Sequence, residues 1–179
     1  MKKILLLLTL TTAITSFSQQ KVEDVFRVKA GLVGFWVGYE KAISSDITLN
    51  GEVGYEGMIY PNQNSHSFSP RYLLTSTLSI EGKYYLNLNK RALKEKNTEN
   101  NAADFLSLEF VYVPDFGTVG DTWRLPDRNV LNIMTAYGFA RNLSSHFQFE
   151  FKGGFGYQFA KNDNGGLFPV LETRIGYAF

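Results

Sequence analysis

The side chains able to do acid–base or nucleophilic chemistry are few. The 179-residue chain holds two histidines and no cysteine. His66 stands among Ser65, Ser67 and Ser69, with Glu56 on the segment before it. A serine, an imidazole and a carboxylate are the parts of an esterase triad, in which the imidazole takes the proton of the attacking hydroxyl and the acid orients it. No strand–turn–helix elbow or fixed spacing accompanies these residues, and polar loops commonly contain serine and histidine. His146, beside Ser144 and Ser145, falls on a tight turn and is weaker still. Gly153-Gly154-x-Gly156 lies inside a strand pattern and opens no helix, so it does not read as a dinucleotide loop; these glycines relieve crowding or let the sheet curve. Without cysteine there is no disulfide framework, thiolate metal site or cysteine nucleophile, and no other metal-ligand spacing occurs. The expectation is a protein with no catalytic residue, no metal and no cofactor.

The charged residues are more informative, because they recur at one spacing. Glu81-x-Lys83, Glu150-x-Lys152 and Glu172-x-Arg174 each set an acid two residues before a base. Residues two apart on a strand share a face, so each pair would project to the same side of a sheet.

The elements that would carry them alternate with period two along most of the chain. In His146 to Ala160, Phe147, Phe149, Phe151, Phe155, Tyr157 and Phe159 take one face and Gln148, Glu150 and Lys152 the other. The same rule holds over Phe26–Leu32, Phe35–Glu40, Ile47–Ile59, Arg71–Leu86, Leu106–Tyr112, Leu131–Phe139 and Leu167–Phe179, which makes eight strands. Aromatics are 15% of the chain, which favours strands and excludes a disordered segment of this length.

Met1-Lys2-Lys3 followed by the apolar Ile4–Ile14 and by Ser16-Phe17-Ser18 has the layout of an export signal, residues 1–18, cleaved before Gln19. Its apolar run is shorter than the 20 or so residues a spanning helix needs. Removal takes Lys2 and Lys3 and no acid, which changes the net charge from +1 to −1. A balance so near zero argues against nucleic acid as a partner.

A soluble sandwich turns its apolar face inward, whereas an outer-membrane barrel turns it outward to lipid and encloses the polar face. Period two alone does not separate them. The export signal, the aromatic density near strand ends and strands of about 9 to 15 residues favour the barrel, since globular strands average 5–6. The predicted domain is therefore residues 19–179, an all-β, eight-stranded antiparallel up-and-down transmembrane β-barrel. Its lumen would be lined by Arg27, Lys29, Glu40, Glu52, Glu56, Arg71, Glu81, Lys83, Glu109, Glu150, Lys152, Glu172 and Arg174. Seven acids against six bases predict a cross-strand ion-pair network, and an eight-stranded barrel is only wide enough for side chains to fill. The expected lumen is a charged plug.

Gly38-Tyr39-x-Lys41-x-Ile43-Ser44-Ser45 matches Gly138-Phe139-x-Arg141-x-Leu143-Ser144-Ser145 at an offset of 100 residues, which reads as one turn used twice. With both termini periplasmic, these turns and the Asn87–Asp104 connection fall on the periplasmic side. The last is rich in Lys, Glu and Asn and reads as a solvated, mobile turn whose Lys90, Arg91, Lys94 and Lys96 could meet anionic headgroups or a periplasmic partner. The long outward loop Pro114–Arg128, with Phe116, Trp123 and Arg124, is the candidate contact for an external ligand or protein.

Taken together, the signal at 1–18, the eight alternating segments and the ending Thr173-Arg174-Ile175-Gly176-Tyr177-Ala178-Phe179 resemble the small outer-membrane β-barrel family, with its eight-stranded OmpA/OmpX-type barrels. The stretch from Val28-Lys29-x-Gly31 to Gly38-Tyr39-Glu40-Lys41 is similar to the opening of exported barrels of this class. The resemblance implies residence in the outer membrane of a Gram-negative envelope, with outer-membrane lipid and the assembly machinery as partners. It implies that Ile175, Tyr177 and Phe179 form the C-terminal aromatic assembly signal. The ending at Phe179 gives the expectation that no peptidoglycan-binding domain is attached. The expected role is structural or surface-interacting. The alternatives are a small-solute, porin-like pore, a lipid-modifying outer-membrane hydrolase using His66, and a soluble periplasmic sandwich or lipocalin-like binder.

Overall fold

The computed structural model of the chain describes residues 21–61, 70–120, 129–159 and 165–179, without the side chains of 58–61 and 70–72. The expected export signal, His66 with its neighbouring serines, Trp123, Arg124 and the side chain of Arg71 lie outside the described residues.

Among the described residues nine strands follow in order: β1 (Val25–Gly31), β2 (Gly34–Ala42), β3 (Ile47–Pro61), β4 (Pro70–Tyr85), β5 (Asp104–Val113), β6 (Val119–Gly120), β7 (Val130–Asn142), β8 (Phe147–Phe159) and β9 (Gly166–Ala178). Every long strand pairs antiparallel with its neighbour in the chain. The first also pairs with the last, Arg27 opposite Ala178 and Gly31 opposite Arg174. The ring β1-β2-β3-β4-β5-β7-β8-β9 therefore closes as an eight-stranded antiparallel barrel. All eight alternating segments of the sequence appear as its staves. β6 is an addition that the periodicity does not reveal, two residues laid against Leu73 and Leu74 of β4.

Closure pairs the backbone groups that an open sheet would leave at its edges. The side chains show the polarity. Phe26, Val28, Val37, Leu49, Ile80, Leu108 and Tyr157 stand exposed on the outer wall, while Arg27, Lys29, Glu52, Glu81, Lys83, Glu109, Glu150 and Lys152 are buried inside. The phase is that of a barrel turned inside out, with an apolar outside and a charged interior. Aromatic rings share this interior by entering slots left by glycine. A Cβ at Gly54 would come 2.6 Å from Trp36 Cδ1, and one at Gly156 would come 2.5 Å from Phe168 Cζ.

The segment before β1, the C-terminus, the β2–β3 and β7–β8 turns and the β4–β5 connection share one end of the barrel. The two turns are alike in hydrogen bonding as well as in sequence. Ile43 N donates to Ile47 O at 2.9 Å and Leu143 N to Phe147 O at 2.8 Å, with Ser44 and Ser144 donating to the same two carbonyls. The base before each turn is held by an aspartate on a neighbouring segment, Lys41 by Asp24 and Arg141 by Asp104.

The β4–β5 connection departs from the solvated, mobile turn expected of it. It forms a short helix α1 (Leu88–Ala92) and a 3-10 turn (Glu99–Asn101). Leu88, Ala102 and Ala103 are buried, and Leu88 and Ala103 pack with Val22, Tyr85, Phe105 and Ala140. Lys90, Lys94 and Lys96 remain exposed, whereas Arg91 turns inward and donates through Nε to Ala102 O at 2.8 Å. The charge count of this segment hides the few apolar and amide residues that fold it down.

The glycine slot beside Phe168 can be tested by double substitution. Gly156→Ala should lower the urea midpoint of the folded barrel, at a cost of about 1–3 kcal/mol for overpacking. Phe168→Leu in the same chain should recover most of that loss, because the nearest atoms to the new Cβ belong to the Phe168 ring.

Candidate functional site

Described from the end that carries the β4–β5 connection, the lumen is a stack of compensated charges. In the first layer Glu40 is paired with Arg27. The carboxylate also accepts from Thr48 Oγ1 at 2.8 Å, Tyr85 OH at 2.6 Å and Asn101 Nδ2 at 3.1 Å. Four donors from β1, β3, β4 and the β4–β5 connection thus converge on one fully buried acid.

The second layer is a closed circuit of eight alternating charges. Lys29 Nζ lies 2.7 Å from Glu52, and Glu52 lies 2.8 Å from Arg174. Arg174 is 2.8 Å from Glu172, which is 3.2 Å from Lys152. Lys152 is 3.2 Å from Glu81, and Glu81 is 3.6 Å from Lys83. Lys83 is 2.8 Å from Glu150, which returns to Lys29 at 3.3 Å. Glu109 hangs on the circuit at 2.7 Å from Lys152.

Register explains why one lysine serves so many acids. Glu81 of β4 lies directly opposite Glu109 of β5. Like charges directly opposite on adjacent strands are destabilising. Lys152 of β8 reaches across the lumen to both, so the barrel's narrowness supplies what neighbouring strands cannot. On the far side Glu150 faces Arg174 and Lys152 faces Glu172 in register. The cations are also covered by rings, Lys83 Nζ at 4.6 Å from the Phe105 centroid and the Arg174 guanidinium at 4.1 Å from that of Trp36.

The expected lining is thus brought together in Arg27, Lys29, Glu40, Glu52, Glu81, Lys83, Glu109, Glu150, Lys152, Glu172 and Arg174. Glu56 stands apart, exposed at the mouth opposite the termini. Alternation does not single out Tyr85 or Asn101, which complete the shell of Glu40; Asn101 lies in a loop, where period two carries no information.

That loop lies across the same end as the Glu40 layer. Asn101 exchanges hydrogen bonds with Glu23, whose N–H donates to Asn101 Oδ1 at 2.8 Å while Asn101 Nδ2 donates to Glu23 O at 2.9 Å. Asn100 O accepts from Gln148 Nε2 at 2.9 Å and from Arg27, and Asn142 Nδ2 donates to Glu99 O at 2.9 Å. Asn100 and Asn101 have φ of 54° and 59°, a left-handed region that asparagine tolerates. Residues 97–103 thereby lie across the barrel end, stitched to β7, β8 and the segment before β1.

At the same end Ile175, Tyr177 and Phe179 are in phase. The Tyr177 ring stacks on His146 at 5.3 Å and meets Phe147 and Phe179 edge-on at 5.2 and 4.8 Å. The Phe179 N–H donates to Phe26 O at 3.1 Å, which ties the last residue to the first strand. Among the described residues no group of histidines and carboxylates is arranged to hold a metal ion.

No protein-family model matches the chain, and no curated protein matches it. Among solved structures the chain is similar to the N-terminal β-barrel domain of Pseudomonas aeruginosa OprF, at 12% identity with a TM-score of 0.38, over 90% of this chain and 98% of that one.

Removing the shared cation tests the circuit. Lys152→Met should cost about 3–5 kcal/mol in denaturant unfolding, because it strands Glu81 and Glu109 side by side. Adding Glu109→Gln should restore a large part of it. Outside the strands, hydrogen bonds from Lys41, then from the Ala42 N–H and Tyr39 OH, hold the Asp24 carboxyl down to about 2 from its usual 3.8. A depressed folded value means that this tether is complete above about pH 3.8 and is lost as pH falls from there toward 2. The Ala42 amide resonance should titrate with a midpoint of about 2, and Asp24→Asn should abolish that titration.

Proposed function

We propose that the protein is an integral outer-membrane barrel that does not conduct, with a structural or surface-interaction role and a lumen plugged by its own charges. The observation that carries this reading is the closed circuit of eight alternating charges across the lumen. A water-filled pore would leave such side chains solvated and free to separate. Here Lys83, Lys152, Glu81 and Glu150 are buried and each has two or more partners of opposite charge. The layer below it, with Asn101 bonded to Glu40, supports the same conclusion from the terminal end.

Membrane residence is supported by the outer wall. Leu, Ile, Val, Phe and Tyr stand exposed around it on every long strand. An apolar band of this extent on a soluble monomer would be an aggregation hazard. It suits a hydrocarbon core, with Phe26, Phe147, Tyr177 and Phe179 forming part of an aromatic girdle at one interface. In this reading the end that carries the termini is periplasmic, the Pro114–Arg128 connection faces outward, and Ile175, Tyr177 and Phe179 serve as the signal read by the assembly machinery.

Two measurements test the proposal. Extracted protein should run at a different apparent mass before and after boiling in SDS, as a closed barrel does; recovery in the soluble periplasmic fraction with no such shift would sink the membrane reading. Reconstituted into planar bilayers, the folded barrel should be electrically silent. A steady ohmic conductance in folded protein would establish the pore alternative.

A further inference from the structure

The β4–β5 connection has two parts with different destinations. It leaves the wall at Leu86 and returns at Asp104, whose carbonyl accepts from the Leu86 N–H at 2.8 Å. Residues 97–103 lie across the barrel end, whereas α1 and the turn after it stand at the rim. Arg91 marks that position, since it lies within electrostatic reach of the Asp104–Arg141 pair. Asp104 has the parity of Leu106 and Arg141 that of Tyr137, both exposed on the outer wall. Arg91 itself is spent on the carbonyls of Ala102 and Asn97.

The helix turns one side inward and the other away. Leu88 is buried with Tyr85 and Phe105. At about 100° per residue, Lys90, Leu93 and Lys94 fall on the side away from Leu88. All three are exposed, Leu93 at 72%. Their display is ordered by a Schellman cap, in which Glu95 N donates to Ala92 O at 2.9 Å and Lys96 N to Arg91 O at 3.1 Å. Glu95 takes the left-handed φ of 54° that this cap requires, and the exposed Lys96 follows it. Elsewhere at this end Lys41 and Arg141 are neutralised by Asp24 and Asp104, whereas Lys90, Lys94 and Lys96 have no acid within ion-pair distance among the described residues.

The wall beside them is apolar. Along β4 and just past it Ile80, Tyr84 and Leu86 are exposed, so α1 follows directly on the surface read above as lipid-facing. An exposed leucine among uncompensated lysines, at the edge of an apolar band, has the division of an interfacial segment. The lysine stems lie along acyl carbons while the ammonium groups reach phosphate. We propose that α1 and its turn are an interfacial foot that binds anionic phospholipid in the leaflet on this side. Leu93 enters the boundary between headgroups and acyl chains, and Lys90, Lys94 and Lys96 hold the phosphates. A soluble acidic partner would satisfy the lysines but has no use for their place against the apolar wall. This inference rests on the outer wall facing lipid; it adds a lipid class and the surface that selects it.

The chain has no cysteine, so Leu93→Cys takes a single nitrobenzoxadiazole label. The labelled chain is folded into phosphatidylcholine nanodiscs and checked for its heat-dependent shift in SDS. A small share of the lipid is then replaced by phosphatidylglycerol or phosphatidylcholine carrying bromines near the head end of its chains. Quenching by the brominated phosphatidylglycerol should exceed that by the brominated phosphatidylcholine by about fivefold or more, the preference that even one lysine near an anionic surface confers. Lys90→Gln with Lys94→Gln and Lys96→Gln, all at exposed positions, should bring that ratio to about one, as should salt at about 1 M. Equal quenching by the two lipids, or a preference that survives the three substitutions, would overturn the anionic-lipid assignment. A label that neither lipid quenches in a shifted, folded barrel would overturn the foot itself. Protein that shows no heat-dependent shift counts against the membrane reading.

Discussion

The desolvation of charge inside a narrow cylinder governs most of what this barrel does. Ten charged side chains of the lumen are buried, and an ion taken out of water costs several kcal/mol unless its partners are close and well placed. Closing eight strands makes that possible, because it leaves an interior no wider than two long side chains meeting tip to tip. Lys152 can then neutralise Glu81 and Glu109, which the register sets face to face on neighbouring strands. The same constraint explains the company of the charges. Trp36 and Phe105 fill the space beside Arg174 and Lys83, and glycines opposite the rings leave them room.

The two ends of the cylinder meet this constraint differently. At the end with the β4–β5 connection, the circuit is backed by a layer centred on Glu40 and by residues 97–103, where the Asn101 amide donates to the Glu40 carboxylate and the Glu23 carbonyl. At the other end the described strands finish at different heights, and the last charges of the circuit, Arg174 and Glu172, line a small cavity beside Trp36 and Glu56. Among the described residues, the charges are thus backed by a folded connection at one end, while at the other β1 and β2 fall short of β9 and β3.

Much of this is legible in the sequence residue by residue. The alternation of Phe26, Val28 and Ala30 with Arg27, Lys29 and Gly31 places each of the three apolar residues outside and both bases inside, because on a strand parity alone assigns a side chain to a face. Parity likewise suffices to put Glu81, Lys83, Glu150, Lys152 and Arg174 in the lumen. It fails where the chain leaves the sheet. Asn101 is buried against Glu40 from a loop rich in Lys, Glu and Asn, and its partner Glu23 is 78 residues away. Glu56 obeys parity yet stands at the exposed mouth, since face says nothing of height along the axis.

By itself, then, the sequence determined the number of staves, the face of each side chain and the sign of the charges enclosed, because all three are properties of single strands. It also held the shared turn of Ile43–Ile47 and Leu143–Phe147, which is local. Tertiary structure alone decided which charges meet, that residues 97–103 fold down over one end, and that β1 and β2 fall short of β9 and β3 at the other. Those outcomes depend on register around a closed ring. Register couples residues more than 100 positions apart, such as Lys29 with Glu150 and Arg174 with Glu52, through the common radius and tilt that all eight strands must share.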